Sequence, residues 1–490
     1  MADDDNNNNN KESSSREPLL LKENRYHENC PGCKVDQDKE MQQGLPVKQL
    51  LNVWTVTLCT ALPISCLFPF LYFMVRDFGI AEVEADISSY AGYVGSSYML
   101  GRGLTSIPWG IFADRYGRKY AIVTGLVAVV VFNTLFGLST SFWMAVSTRF
   151  LLGILNGSLG PIKAYASELF REEHQALGLS TVSSAWGIAL VIGPAVGGYL
   201  AQPVQKYPHV FPKGSLFDKF PYFLPCFIIS AFALAVLVAC IWLPETLHNH
   251  NVSDESHEDT ENEITGKTAQ KDENLLLNWP LMSSIIVYCF FSLHDMAYTE
   301  VFSLWAVSPL KLGGLNFTTD DVGNVLSISG FSLLLYQIFL YPSLQKVCGP
   351  VRLAHISAAV SIPLLQIYPF IGLSPGFTMN LLITTASVLM YCLSATYMTG
   401  LFLLQNRAVE QHQRGAANGI AMTGMSISKA LGPAGGGAVL TWSQKRLDAS
   451  FLPGSHMVFF VLNLVEALGV LMMFKPFLAE KKTSPSQQIQ

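Results

Sequence analysis

The sequence predicts an all-α membrane protein: twelve transmembrane helices in two pseudo-symmetric halves of six. Three observations carry this. Half of the 490 residues are hydrophobic and only 14% are charged, where a soluble chain carries nearer a quarter. Twelve stretches reach or approach the ~20 mostly apolar residues that a spanning helix needs. A segment of the fifth stretch, Gly193-Pro194-Ala195-Val196-Gly197-Gly198, returns in the eleventh as Gly432-Pro433-Ala434-Gly435-Gly436-Gly437. Equivalent positions in two halves fit parallel repeats about an axis along the membrane normal.

The expected spans are roughly 51–75, 88–112, 119–139, 143–164, 177–201, 221–243, 281–306, 321–343, 353–373, 377–402, 416–440 and 455–475. They divide the chain into a tail (1–50), a six-helix half (51–243), a linker (244–280), a second six-helix half (281–477) and a short tail (478–490). The linker is expected to be disordered, because its polar run has almost no large apolar residues. Basic residues mark one set of connections: Arg115, Arg118 and Lys119, then Arg171, Lys346 and Arg352, Arg407 and Arg414, Lys481 and Lys482. By the positive-inside rule these loops and both termini are cytoplasmic; the lysines of the 202–220 loop are the main counterweight. The net charge of −5 arises mainly in polar segments such as Met1–Asp5 and Ser253–Glu263. No basic patch points to nucleic acid. No signal peptide is expected, since the acidic, Asn-rich start has no apolar core with a small-residue cleavage site. The nine cysteines mostly lie in apolar segments, which argues against a disulfide framework.

Charged residues inside spans are the candidate machinery, because a charge at that depth costs about 3 kcal/mol or more. Arg149 is one; the competing reading is a side chain that snorkels to the interface marked by Trp143. In the seventh span His294 lies about 20 Å from the helix start near Leu281, so His294 and Asp295 are deep. They point about 100° apart, and His294 shares a face with Tyr298. A histidine and a carboxylate that trade one proton would suit a proton-coupled carrier; a fixed interhelical hydrogen bond is the alternative. Glu300 falls near the outer interface, where a solvated carboxylate is the default. Lys429, one turn before Gly432 and Pro433, must pair or lose its proton, and Asp295 is a plausible partner. Glu466 is mid-span in the twelfth helix. Near the N-terminus, Cys30-Pro31-Gly32-Cys33 with His27 offers three soft-metal ligands, one short of a closed zinc site; His248, His250 and His257 are further donors or simply solvated. No cofactor is implied.

The loop Gly110-Ile-Phe-Ala-Asp114-Arg115-Tyr-Gly117-Arg118-Lys119 resembles the loop between the second and third helices of the major facilitator superfamily. There Gly110 would allow close helix approach, Gly117 a tight turn, and Asp114, Arg115 and Arg118 a latch on the cytoplasmic side. Arg149-Phe-Leu-Leu-Gly-Ile-Leu-Asn-Gly157 resembles the superfamily's fourth-helix motif, which implies proton coupling for Arg149. Gly187 with Gly193, Pro194, Gly197 and Gly198 resembles its antiporter signature, with Gly432 and Pro433 as the repeat; simple tight packing is the alternative to a hinge. A closer resemblance rests on Cys30-Pro-Gly-Cys33, Trp186-Gly-Ile-Ala189, Leu243-Pro-Glu-Thr-Leu247, His294-Asp-Met-Ala-Tyr298, Gln405-Asn-Arg-Ala408 and Arg414-Gly-Ala-Ala-Asn-Gly419. Together these are similar to the plant zinc-induced-facilitator-like family. The resemblance implies a proton-coupled antiporter in the tonoplast or plasma membrane. It would export a small polar solute, foremost a metal chelator of the nicotianamine or phytosiderophore type. Its partners would be the lipid bilayer, protons and a small-molecule substrate, with a monomer as the superfamily default. Two alternatives stand beside it: a potassium or caesium/proton antiporter with an auxin-related role, and a non-transporting membrane metal sensor. Neither reading makes the protein an enzyme.

Overall fold

The computed structural model describes residues 30–41, 44–248, 275–409 and 413–478. Every long element among these residues is helical. A helix at Pro31–Met41 precedes the bundle. The first span is Val47–Ser65, broken and resumed as Leu71–Asp77; the second is Ile87–Tyr116 and the third Arg118–Gly137. The fourth is Phe142–Leu155 followed by Leu159–Leu169, the fifth Glu172–Leu200, the sixth Phe223–Trp242. In the second half the spans are Trp279–Val307, Thr319–Cys348, Pro350–Ile371, Gly376–Ala408, Arg414–Gln444 and Ser455–Met472. Eight of the twelve are long and apolar enough to cross a membrane on composition alone. The first, second, fourth and eleventh are broken or diluted by Gly, Ser and charged residues.

Most spans fall within a few residues of the expected ranges, and two are interrupted where continuous helices were expected. In the first, Pro69 offers no N–H to continue the helical ladder across residues 66–70. In the fourth, Asn156-Gly157-Ser158 opens the helix. A Cβ on Gly157 would lie 2.2 Å from the Trp109 ring, and the Trp109 indole donates to the freed carbonyl of Ile154 at 2.6 Å. The indole therefore fills the break and satisfies the backbone it exposes. Within the expected N-terminal tail, residues 31–41 form a helix docked on the bundle. At the start of the expected linker, 244–248 pack against the protein, while 249–274 lie outside the described residues.

The halves meet along two helix pairs, second on eleventh and fifth on eighth. The repeated Gly-Pro segments lie in these seams and make equivalent contacts. A Cβ on Gly193 would strike Ser65 of the first span, and one on Gly432 would come within 3.0 Å of Ala297 of the seventh. The Pro194 carbonyl lies against Gly323 of the other half, as the Pro433 carbonyl lies against Gly92. Gly198 meets the backbone of Thr319, and Gly437 that of Ser88; Gly187 faces Leu334 across the same seam. Gly197 packs within its own half, on the Cys66 carbonyl. Small residues permit these backbone approaches, as in membrane helix pairs generally.

Candidate functional site

The intramembrane charges fall into three groups. Asp295 and Lys429, on the seventh and eleventh spans, bring Oδ2 and Nζ to 3.8 Å. Their side chains are 31% and 26% exposed, so the pair borders open space. Asp295 also accepts from Ser394 Oγ at 2.6 Å. At 3.8 Å the pair is looser than a charge-assisted hydrogen bond, near 2.8 Å.

His294 and Asp295 do not act on each other. Consecutive helical residues face different neighbours, and His294 turns to the twelfth span. Its Nε2 lies 3.7 Å from Glu466, with both side chains fully buried. Ser361 donates to the Glu466 carboxylate. Tyr298, on the His294 face, is hydrogen-bonded to Tyr368 at 2.7 Å.

Arg149 does not snorkel. It is 2% exposed, donates to the Pro63 carbonyl at 3.0 Å, and lies 5.1 Å from each of the Tyr98 and Phe136 ring centres. Glu300 is not at a solvated interface: it is 1% exposed, and neither carboxylate oxygen has a hydrogen-bond partner among the described residues. It points across the seam, where a Cβ on Gly95 would come within 3.1 Å of it. There it is within Coulombic reach of Arg149. An acid of the second half thus faces a base of the first inside the membrane.

Two first-half bases were missed in the sequence. Arg102, on the second span, is 8% exposed and lies 6.0 Å from the ring centre of Trp186. Lys163, on the fourth, shares its electrostatic environment. The signal that flagged Arg149, a charge inside an apolar run, was available for Arg102 between Gly101 and Gly103.

The halves are tied at one end of the bundle. Lys206 pairs with Asp320, Lys311 with Glu84, and Lys445 with Asp86 at 2.5 Å. Each pair joins the two halves. Lys206 also donates to Thr319 Oγ1 and the Gly198 carbonyl, both at 2.5 Å. Exposed ion pairs contribute little singly; this one is the exception, because Lys206 is only 17% exposed and has three acceptors.

The opposite end carries the Gly117 loop, whose bonds stay within the first half. Arg118 Nη1 bonds Asp114 at 2.5 Å and its Nη2 bonds Glu168 at 2.9 Å. Thr246 Oγ1 donates to Glu168 at 2.6 Å. Glu245 caps the third span, accepting from the backbone N–H of Arg118 at 2.9 Å and of Lys119 at 3.0 Å; an anion at a helix N-terminus satisfies groups that lack intrahelical partners. Gly117 has φ +119°, and a Cβ there would strike Glu245. Arg115 stacks on Tyr116 instead of joining the network. A Cβ on Gly110 would meet open space, so the close helix approach expected there is absent. Among the described residues, every ion pair between the halves is at the other end. Glu245→Ala should lower stability by about 1–2 kcal/mol, the scale of a lost N-cap. The check is thermal unfolding of the purified protein; an unchanged Tm would contradict the capping role.

Residues 53–306 match the model of the Major Facilitator Superfamily. Over 481 residues the chain is 55% identical to Protein Zinc Induced Facilitator 1 of Arabidopsis thaliana, with 95% of this chain and 99% of that protein covered. It is 56% identical to Zinc Induced Facilitator-Like 1 of the same plant, covering 94% and 98%. The fold is similar to a D-xylose-proton symporter (TM-score 0.66, 15% identity, 89% and 98% covered). It is also similar to a bacterial homolog of the lysosomal transporter Spinster in an inward-facing, occupied conformation (TM-score 0.63, 15% identity, 88% and 94% covered). The chain therefore belongs to the zinc-induced-facilitator-like family of the major facilitator superfamily: it is a multi-pass membrane transporter for small molecules, and not an enzyme.

Proposed function

We propose that this transporter is a proton-coupled antiporter that moves a small amino-carboxylate out of the cytosol, across the tonoplast or plasma membrane. The substrate class is that of nicotianamine or a phytosiderophore, in zinc or iron homeostasis. The observation that carries this reading is the loose, part-exposed Asp295–Lys429 pair. A zwitterion exchanges that one pair for two, its ammonium on Asp295 and a carboxylate on Lys429. Arg102 and Lys163 suit further carboxylates. A proton on Asp295 removes the ammonium's partner, so proton and substrate compete, which is the requirement of exchange. The names of the Arabidopsis relatives, which refer to zinc induction, agree with a chelator.

The basic Gly117 loop belongs in the cytosol by the positive-inside rule. On this reading the end tied by the three ion pairs faces the vacuole or the exterior, and we take the state to be inward-facing. In the alternating cycle the Gly-Pro seams hinge, Lys206–Asp320 and its neighbours part, and Asp114–Arg118 closes on the second half.

A second reading, a potassium or caesium/proton antiporter, draws on Glu300, whose buried carboxylate has no hydrogen-bond partner among the described residues. Vesicles with an imposed proton gradient separate the two. Gradient-driven uptake of labelled nicotianamine, with and without zinc, supports the first. Potassium- or caesium-dependent proton flux without chelator movement overturns it in favour of the second.

A further inference from the structure

The Cys-Pro-Gly-Cys segment plays no part in the transport path, yet the fold gives it a third ligand from 215 residues away. Cys33 Sγ lies 3.7 Å and Cys30 Sγ 3.9 Å from Nδ1 of His248. All three donor atoms are within 4.8 Å of one another. His27, the ligand expected from the sequence, lies outside the described residues.

We propose that Cys30, Cys33 and His248 form a zinc-class metal site that staples the N-terminal helix to the end of the sixth span. Three features support it. The first is spacing. Zinc at about 2.3 Å from sulfur and 2.0–2.1 Å from nitrogen, in tetrahedral geometry, sets S···N near ~3.6 Å. The observed separations are close to this, so the donors need only a small movement to close on an ion.

The second is the orientation of the histidine. Its Nδ1 faces both thiols while its Nε2 lies 3.2 Å from Asp36 Oδ2. In zinc-bound histidines the non-ligating nitrogen almost always meets a carboxylate, a backbone carbonyl or water, which fixes ring and tautomer. His248 therefore already has the orientation of a ligand.

The third is the way the segment is docked. Pro31 opens the helix, so both thiols sit at its first turn, where the helix dipole favours thiolate. The Gly32 N–H donates to the Leu247 carbonyl at 3.2 Å. A Cβ on Gly32 would lie 2.8 Å from both the Thr246 carbonyl and the His248 ring, so a residue without a side chain is required between the cysteines. At the helix's other end Arg171 donates to the carbonyls of Lys39 and Glu40 at 2.5 and 2.7 Å.

Two thiolates select zinc or another soft cation over potassium, magnesium or calcium. Among the described residues these three are the ligand set. The site lies at the Gly117 end, apart from Asp295 and Lys429, and does not depend on the transport reading. Metal there immobilises residues 244–248, which include the Glu245 cap of the third span.

The test uses the full-length protein, purified with reductant in detergent. Zinc titration against a chromophoric chelator is expected to show one equivalent bound. Cobalt is expected to give a thiolate charge-transfer band. Cys33→Ser and His248→Ala should each weaken binding at least 100-fold, and Asp36→Asn by about 10–100-fold. Hydrogen exchange at residues 31–41 and 244–248 should slow on zinc addition in the wild type and not in His248→Ala. That comparison also reports whether each variant is folded, from protection of the spanning helices. Equal zinc retention by the wild type and a Cys30→Ser/Cys33→Ser variant would overturn the proposal, as would absence of any retained zinc.

Discussion

Asp295→Asn is expected to reduce proton-driven substrate transport by about 30-fold or more. Removing one partner of a desolvated charge pair costs about 2–5 kcal/mol, and the lower end applies because this pair is a quarter to a third exposed. The amide still accepts from Ser394, so the fold should be retained. The variant lacks the carboxylate proposed to alternate between proton and ammonium, and Lys429 is left without its partner. Transport in vesicles under an imposed gradient is the measurement, with detergent elution profile and Tm as the folding control. Lys429→Gln should also impair transport but chiefly through KM, if its role is to hold a carboxylate. Undiminished gradient-driven uptake by Asp295→Asn would remove the seventh-span carboxylate from the mechanism.

The fold was legible in the sequence because membrane burial imposes a long apolar run on each span and basic residues mark its ends. The Gly-Pro repeat was visible for a similar reason: only small residues allow the backbone of one half to touch the other. What stayed hidden was pairing. Helical periodicity separates His294 from Asp295 by 100°, but which helix stands opposite each face is a tertiary fact. The pairing of His294 with Glu466, and the burial of Glu300 against the first half, could not be read along the chain. The three ion pairs at the sealed end join short loops over 100 residues apart, and each looks like an ordinary solvated charge. Gly110 was expected at a close approach because the loop motif contains it; in the structure a Cβ there would meet nothing within 4 Å. His248 was one of several linker histidines until the fold carried it to the two cysteines.

Gly92→Val is expected to prevent the sealed end from closing. A Cβ at Gly92 would stand 2.3 Å from the Pro433 carbonyl, and a backbone atom cannot swing aside as a side-chain tip can. Overpacking of this kind costs about 1–3 kcal/mol, enough to change the ratio of sealed to unsealed states by roughly 5–150-fold. Transport should fall because one of two alternating states is lost, while binding from the unsealed side survives. Spin labels at the exposed Val210 and Leu310, one on each half, report the change directly once the partly exposed Cys289, Cys348 and Cys392 are replaced. The distance distribution should shift to longer values in Gly92→Val. Lys206→Ala should shift it the same way by a smaller amount, since Thr319 and the glycine seams remain. An unchanged distribution in Gly92→Val would mean that the seam is packing alone and not the moving contact.

The competition between proton and substrate at Asp295 is tested most directly by proton release. Substrate is added to the purified protein in weak buffer containing a pH dye, at a pH where the proton-loaded form is populated. Linkage requires that a ligand displaced by protons displace them in return. Nicotianamine should therefore release protons from the wild type and release none from Asp295→Asn. Binding with no proton release, or equal release from the variant, would contradict exchange at this carboxylate.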